Sequence, residues 1–270
     1  MVAWLPTILG SSHVIYPEIA YPTYLVGAIM GRATHETVGI DAAHWPKANL
    51  AWINSPSNPT GRVLTADELR AVIEYSRRTD TVIASDECYI SFPASTATGA
   101  TKPLSIFEAA EGNNTNLLAV HSLSKRSNLA GYRAAFVVGD SALIAKILEV
   151  RKHAGMMVPL PVQRAMIAAL SDEVHVVAQA DRYRARRAVL QSALEAQGFR
   201  IDDTEAGLYL WATREESDWE TVTWFAHLGI LATPGHFYGE AGDRHVRIAL
   251  TATDEQIATA AARIIAARKS

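Results

Sequence analysis

The chain has 270 residues, is 49% hydrophobic and carries a net charge of −3. A balance this close, with no Lys/Arg run, argues against a nucleic-acid partner, and no apolar stretch approaches the roughly 20 residues needed to cross a bilayer. With Cys88 as its one cysteine an intrachain disulfide is ruled out, and the composition, without a secretory leader, predicts a soluble protein of a reducing cytoplasm.

Taken in order, the chain opens on Val2-Ala3-Trp4-Leu5 and Ile8-Leu9-Gly10, an apolar run that reads as a helix stopped by Gly10. No cap or entry strand precedes it, so the expectation is a chain shortened at its N-terminus. Residues 50–53 form a buried-strand run ending at Asn54-Ser55-Pro56. Thr65 and Glu68 make a capping box, with Leu69, Val72, Ile73 and Ser76 following at helical spacing. A strand over 81–84 breaks at Ser85-Asp86-Glu87. Ser105 and Glu108 predict another capped helix, 117–120 and 134–138 two more strands, and 141–153 a helix. This alternation predicts a mainly parallel sheet with helices on both faces, an α/β fold.

The pattern changes after Pro159 and Pro161. A long helical region over 172–197 stops at Gly198, strands are expected at 199–201, 208–211 and 246–250, and helices at 219–227 and after the Thr253–Gln256 capping box. That order suggests an α+β unit. The expected organisation is a large domain over 1–171 and a small C-terminal domain over 172–270.

Ligands of open α/β sheets gather at the carboxyl ends of strands. Three successive strand ends carry Asn58 within Asn54–Gly61, Asp86 with Tyr89, and Ser122, Ser124 and Lys125 with Arg133 eight residues on. Each piece alone has an ordinary reading. Asn-Pro-Thr-Gly is a turn, Asp86 a helix N-cap and Ser-x-Ser-Lys a solvated loop. Their shared edge is what points to a site.

Ser-Asn-Pro-Thr-Gly (57–61), Ser-Asp-Glu-Cys-Tyr (85–89), Ser-Leu-Ser-Lys (122–125) with Gly-Tyr-Arg (131–133), and Arg-Ile-Ala-Leu (247–250) are similar to the signature segments of class I/II aminotransferases. These are pyridoxal 5′-phosphate (PLP) enzymes of fold type I, with a mainly parallel sheet sandwiched by helices and a smaller α+β domain. The resemblance runs from Tyr21 to the C-terminus in family order. It implies that Lys125 binds the cofactor covalently and carries the proton at the substrate Cα. It implies that Asp86 holds the pyridine nitrogen protonated, with a carboxyl pKa depressed by that cation. Tyr89 and Asn58 would bond the 3′-oxygen, and Ser122, Ser124 and Arg133 the phosphate. Arg247 would fork onto the substrate α-carboxylate, its ordinary alternative being a surface charge at a strand start. Tyr21 falls where an aromatic ring stacks on PLP, with Tyr24 as its rival, and Cys88 reads as a buried small residue. No metal is implied.

The chain departs from the family at its start, where members carry a phosphate-binding Gly/Ser/Thr-rich turn before the segment matching Val2-Ala3-Trp4; here Met1 alone precedes it. The family's N-terminal arm and the tyrosine it donates across a homodimer are also missing. Residues 18–24, 156–163, and 233–239 ahead of 245–251 most resemble actinobacterial-type N-succinyldiaminopimelate aminotransferases, which use glutamate/2-oxoglutarate in lysine and cell-wall synthesis. The alternatives on the same scaffold are an aminotransferase of other specificity, a carbon–sulfur lyase, or an inactive truncated aminotransferase-like protein. A regulator of this type would carry a helix-turn-helix, which the sequence does not show.

Overall fold

The computed structural model describes residues 1–95 and 102–267. Six strands form one sheet: β1 (His13–Pro17), β2 (Thr34–Val38), β3 (Leu50–Asn54), β4 (Val82–Asp86), β5 (Leu117–Ser122) and β6 (Ala135–Gly139), in the order β2-β1-β3-β4-β5-β6. All neighbours run parallel except β5 and β6. The β5–β6 connection contains only two short helical turns, over Leu123–Arg126 and Ala130–Tyr132, too short to carry the chain back across the sheet, so β6 returns antiparallel.

Every residue of β3, Leu-Ala-Trp-Ile-Asn, is buried, because helices cover both faces and leave no solvent side to alternate toward. On one face Ala51, Ile53, Ile83, Leu117 and Ala119 pack with Leu69, Val72 and Ile73 of α3 (Ala66–Thr79). On the other, Leu50, Trp52, Ala84, Leu118 and Val120 meet Leu5 and Ile8 of α1 (Leu5–Leu9), Tyr24 and Ala28 of α2 (Thr23–Met30), and Ile147. The expected caps are formed. Thr65 and Glu68 close a reciprocal box on α3, and Ser105 and Glu108 do the same on α4 (Ile106–Ala109). After α5 (Leu123–Arg126), α6 occupies Ser141–His153, as its periodicity predicts.

Several elements were invisible to periodicity. β2 reads Thr-His-Glu-Thr-Val with four exposed residues, because it is an edge strand with little apolar surface to bury. The prolines at 159 and 161 suggested a break, yet α7 runs over Leu160–Leu170 with Pro161 in its first turn, where a missing N–H leaves no bond unmade.

The remaining strands, β7 (Arg200–Asp202), β8 (Tyr209–Thr213), β9 (Thr233–Pro234) and β10 (Val246–Ala249), form an antiparallel sheet in the order β7-β8-β10-β9. It packs through Leu210, Val246 and Ile248 on α8 (Val174–Ala196), α9 (Asp218–His227) and α10 (Asp254–Ala266). Gly198 ends the long helix region at φ 82°. The two sheets are clasped by the 204–206 segment. Thr204 N–H donates to the Thr60 carbonyl at 3.1 Å and Ala206 N–H to the Gly61 carbonyl at 2.9 Å. Gly61 sits at φ 81°, and a Cβ there would lie 2.7 Å from the Ala206 carbonyl oxygen, so only glycine fits this approach. Among the described residues, no helix is long and apolar enough to cross a membrane.

Candidate active site

β3, β4 and β5 end side by side, with Asn54 opposite Asp86 in the parallel register. Asn54 was not singled out from the sequence, yet it organises the turn beyond it. Its Nδ2 donates to the Asp86 carbonyl at 2.8 Å and its Oδ1 accepts from Asn58 N–H at 2.7 Å. The Asn-Pro-Thr-Gly turn is thus real, and it is also pinned to the strand that carries Asp86.

Asp86 is not a helix cap. It is the last residue of β4 and 5% exposed. One carboxylate oxygen accepts from the Tyr24 hydroxyl at 2.8 Å and the other from Cys88 N–H at 3.2 Å. No Lys, Arg or His nitrogen among the described residues lies within ion-pair distance of it. Tyr24 is fully buried, stacked on Trp52 with ring centroids 4.7 Å apart. Burial, reinforced by the Asp86 charge, raises its phenol well above the ordinary range, so it stays a proton donor. Tyr21, in contrast, is 39% exposed and meets Tyr24 edge-on. The structure therefore separates the two rivals: Tyr21 faces the open space, while Tyr24 supports Asp86 from below.

Lys125 lies on the one-turn α5, half-buried. The Ser122 hydroxyl accepts from Ser124 N–H at 3.1 Å as the N-cap of this turn. Arg133 is exposed, adopts φ 54°, and donates to the Ala130 carbonyl at 2.9 Å. The Tyr89 hydroxyl lies 3.2 Å from that of Tyr209, and burial, then Tyr209, hold the Tyr89 phenol well above its usual range. Burial likewise pushes the Cys88 thiol up, in keeping with an inert small residue.

Arg247 reaches the same place from the other sheet. It is half-buried rather than a surface charge, and its Nη1 donates to Asn58 Oδ1 at 3.0 Å. Its guanidinium carbon sits 4.0 Å from the Tyr209 ring centroid and 5.0 Å from that of Tyr238. Its Nε is buried without a partner, and no carboxylate pairs with the group among the described residues.

These side chains enclose a cavity of about 520 Å³. Tyr21, Asn58, Asp86, Tyr89, Ser122, Ser124, Lys125, Arg133 and Arg247, all singled out from the sequence, line it. Asn54, Thr23, Cys88, Val120, Tyr209 and the segment Met1–Ala3 line it too. Tyr209 had a signal available: a polar ring beginning a buried strand that is the neighbour of the Arg247 strand. The charges inside define what fits. A buried carboxylate lacking a cation, and a guanidinium whose buried Nε lacks an acceptor, are costly unless a ligand completes them. PLP carries a protonatable ring nitrogen and a phosphate, and substrates bring a carboxylate, so the residues present fit that cofactor. Among the described residues no cluster of His, Cys, Asp or Glu could hold a metal ion.

The family model "Aminotransferase class I and II" matches residues 8–264. The chain is 51% identical to the 4-dedimethylamino-4-oxo-anhydrotetracycline transaminase OxyQ of Streptomyces rimosus over 98% of its length and 74% of that protein's. It is 50% identical to the probable aminotransferase Rv1178 of Mycobacterium tuberculosis, again over 98% of this chain but 63% of the relative, so it spans less than two thirds of that protein. Among solved structures, the N-succinyldiaminopimelate aminotransferase of Mycobacterium tuberculosis superposes with a TM-score of 0.85 at 26% identity, covering 97% of this chain and 74% of the other. The chain belongs to the class I and II aminotransferases, a family of PLP-dependent enzymes of fold type I.

Proposed function

We propose that this chain is a PLP-dependent aminotransferase that moves an amino group between an amino acid and a 2-oxo acid in the cytoplasm. The observation that carries the reading is the convergence on one cavity of Lys125, a buried Asp86 and Arg247, neither of the last two having an ion-pair partner among the described residues. When bound, the cofactor supplies an electrophilic carbon for the Lys125 amine and an electron sink for the substrate Cα–H bond.

The protein's own groups divide the remaining tasks. Asp86 keeps a proton on the ring nitrogen, and Tyr24 fixes the carboxylate in that direction. Asn58 gives its Oδ1 to Arg247, which leaves its amide N–H groups for the ring oxygen beside Tyr89. Arg247 forks onto the substrate α-carboxylate, where its unpartnered Nε finds an acceptor. Ser122, Ser124 and Arg133 would hold the phosphate, and Tyr21 would pack against the cofactor. Lys125 would hold the cofactor and, as a free amine, would move the proton at the substrate Cα.

For the substrate we propose the keto form of an N-succinylated diaminopimelate precursor, with glutamate and 2-oxoglutarate as the other pair, a step of lysine biosynthesis. The segments at 18–24, 156–163 and 233–239, and the likeness to the mycobacterial structure, support it. A second reading is favoured by the Streptomyces rimosus relative: an amine acceptor with its carbonyl on a bulky ring. Purified protein given PLP is expected to show a near-ultraviolet or visible band, and borohydride to fix the cofactor on Lys125 by peptide mapping. Glutamate-dependent amination of the succinylated keto acid then separates the two substrates. Labelling at another lysine overturns the assignment, and pyruvate with ammonia released without an acceptor points to a carbon–sulfur lyase.

We also propose a homodimer that uses α7. That helix buries none of its residues, and Leu160, Ile167 and Leu170 are 58%, 66% and 40% exposed. Sedimentation at several concentrations is expected to show dissociation on dilution and recovery with PLP. A strictly monomeric species that transaminates would sink this idea.

A further inference from the structure

Tyr209 is absent from the roles assigned above, yet it touches two of the groups that hold them. It begins β8 and is 7% exposed. One face of its ring lies under the Arg247 guanidinium at 4.0 Å, and its hydroxyl lies 3.2 Å from the Tyr89 hydroxyl. The two tyrosine rings meet edge-on at 5.8 Å between centroids, so the contact has a fixed direction. Its own backbone is tied down. Arg187, buried on α8, donates Nη1 to the Tyr209 carbonyl at 3.0 Å and Nη2 to the Gly207 carbonyl at 2.7 Å, and bonds the Thr204 hydroxyl. A buried arginine spent on carbonyls instead of a carboxylate fixes the segment that delivers Tyr209.

We propose that Tyr209 is a positioning residue of the site, whose ring seats the Arg247 guanidinium and whose hydroxyl turns the Tyr89 proton into the cavity. The inference rests on the cofactor reading given above. Each phenol has a single proton. If Tyr89 gives its proton to a ligand oxygen in the cavity, the 3.2 Å contact must be filled by the proton of Tyr209, whose hydroxyl has no other partner among the described residues. Tyr209 therefore donates to Tyr89, and Tyr89 donates inward, each bond polarising the next. Burial keeps Tyr89 protonated across the working range, so the direction persists with pH. The outcome is that the cofactor end and the carboxylate end of the cavity share one support.

The test compares Tyr209→Phe and Tyr209→Leu in the PLP-loaded protein. A hydrogen bond donated to the ring oxygen favours the less protonated state of the lysine-bound cofactor, so weakening it raises the apparent pKa read from the absorbance band. Tyr209→Phe is expected to raise that pKa by roughly 0.5 unit while leaving KM for the carboxylate substrate within about twofold. Tyr209→Leu, which also removes the ring, is expected to add about a fivefold rise in KM. In a Tyr89→Phe background the effect of Tyr209→Phe on the pKa should vanish. A Tyr209→Phe protein that titrates like the parent, or an equal shift in both backgrounds, overturns the inference alone. A parent protein with no pH-dependent band overturns the cofactor reading and this inference with it.

Discussion

The floor of the cavity and its anion-facing rim are built by different means. At the floor, Asp86 ends a central strand, is 5% exposed, and takes hydrogen bonds from a buried Tyr24 and from Cys88 N–H. Tyr24 in turn is stacked on Trp52, a residue of the neighbouring strand, so the carboxylate direction is set by sheet register and core packing together. At the rim, Ser122 and Arg133 are held by the loop that joins β5 to β6, with bonds to Ser124 N–H and to the Ala130 carbonyl. Arg133 is exposed. The floor is therefore preorganised in a low-dielectric setting, where a charge acts strongly, while the rim is a solvated grip on a ligand. This contrast underlies the proposed division, with chemistry at the floor and retention at the rim.

The largest expected effect tests the floor. Asp86→Asn keeps the shape and removes the charge proposed to hold a proton on the cofactor's ring nitrogen. Transamination is expected to fall by roughly 10²–10³, with a much smaller change in PLP affinity. Because the carboxylate is buried without a cation, the cofactor-free variant is expected to melt no lower than the parent. Kinetics, PLP titration and thermal unfolding of the same preparation read all three, and a cofactor affinity that falls as far as the rate would erase the proposed division.

Arg133→Ala tests the rim from the other side. Losing a charge-assisted bond costs about 1.5 kcal/mol at an exposed position, so PLP retention is expected to weaken about tenfold. At saturating PLP the rate should change little. A rate loss that excess cofactor does not restore would place Arg133 in the chemistry instead.

The smallest effect concerns the groups behind the floor. His121 stacks on Phe136 at 4.9 Å and lies 3.4 Å from the buried Glu87 carboxylate. Burial lowers the His121 pKa, with Asp86 acting in the opposite sense, and burial raises that of Glu87 despite bonds from Ile106 N–H, Ser105 and Ser85. A histidine with a depressed folded value contributes stability fully above its unfolded pKa of about 6.5, and that contribution is lost as pH falls through the folded value. Glu87 runs the other way: its raised value loses stability as pH rises above about 4.5. The difference between parent and His121→Gln isolates the imidazole. The variant is expected to show a shallower loss of urea stability as pH falls below about 6.5, and superimposable profiles would show that His121 does not titrate with unfolding.

Much of the floor was legible because strand ends announce themselves. A short buried run followed by Asn54-Ser55-Pro56, or by Ser85-Asp86-Glu87, marks both a strand and the edge where it stops. Capping boxes at Thr65, Ser105 and Thr253 fixed helix starts through bonds local to four residues. The illegible parts depended on distant partners. The five residues of β2 carry almost no buried surface and so no apolar signature, whereas α7 is apolar in sequence but opens with Pro159 and Pro161, which read as a break. Asn54 looked like part of a turn because its bond to the Asp86 carbonyl spans 32 positions in sequence.

By itself the sequence determined the residue types at each strand end, the local caps and the order of elements, since these follow from short-range hydrogen bonding and hydrophobic period. The tertiary structure decided which tyrosine faces the cavity. Tyr21 and Tyr24 are chemically alike and three residues apart, and only packing against Trp52 sends one beneath Asp86 and leaves the other exposed. It also brought Arg247 of the second sheet to the wall of the cavity. Its contact with Asn58 crosses 189 positions and exists because the 204–206 clasp at Gly61 brings the second sheet onto the first. Periodicity reports the face a residue shows to its own element, whereas a site joining two sheets is fixed by how those sheets dock.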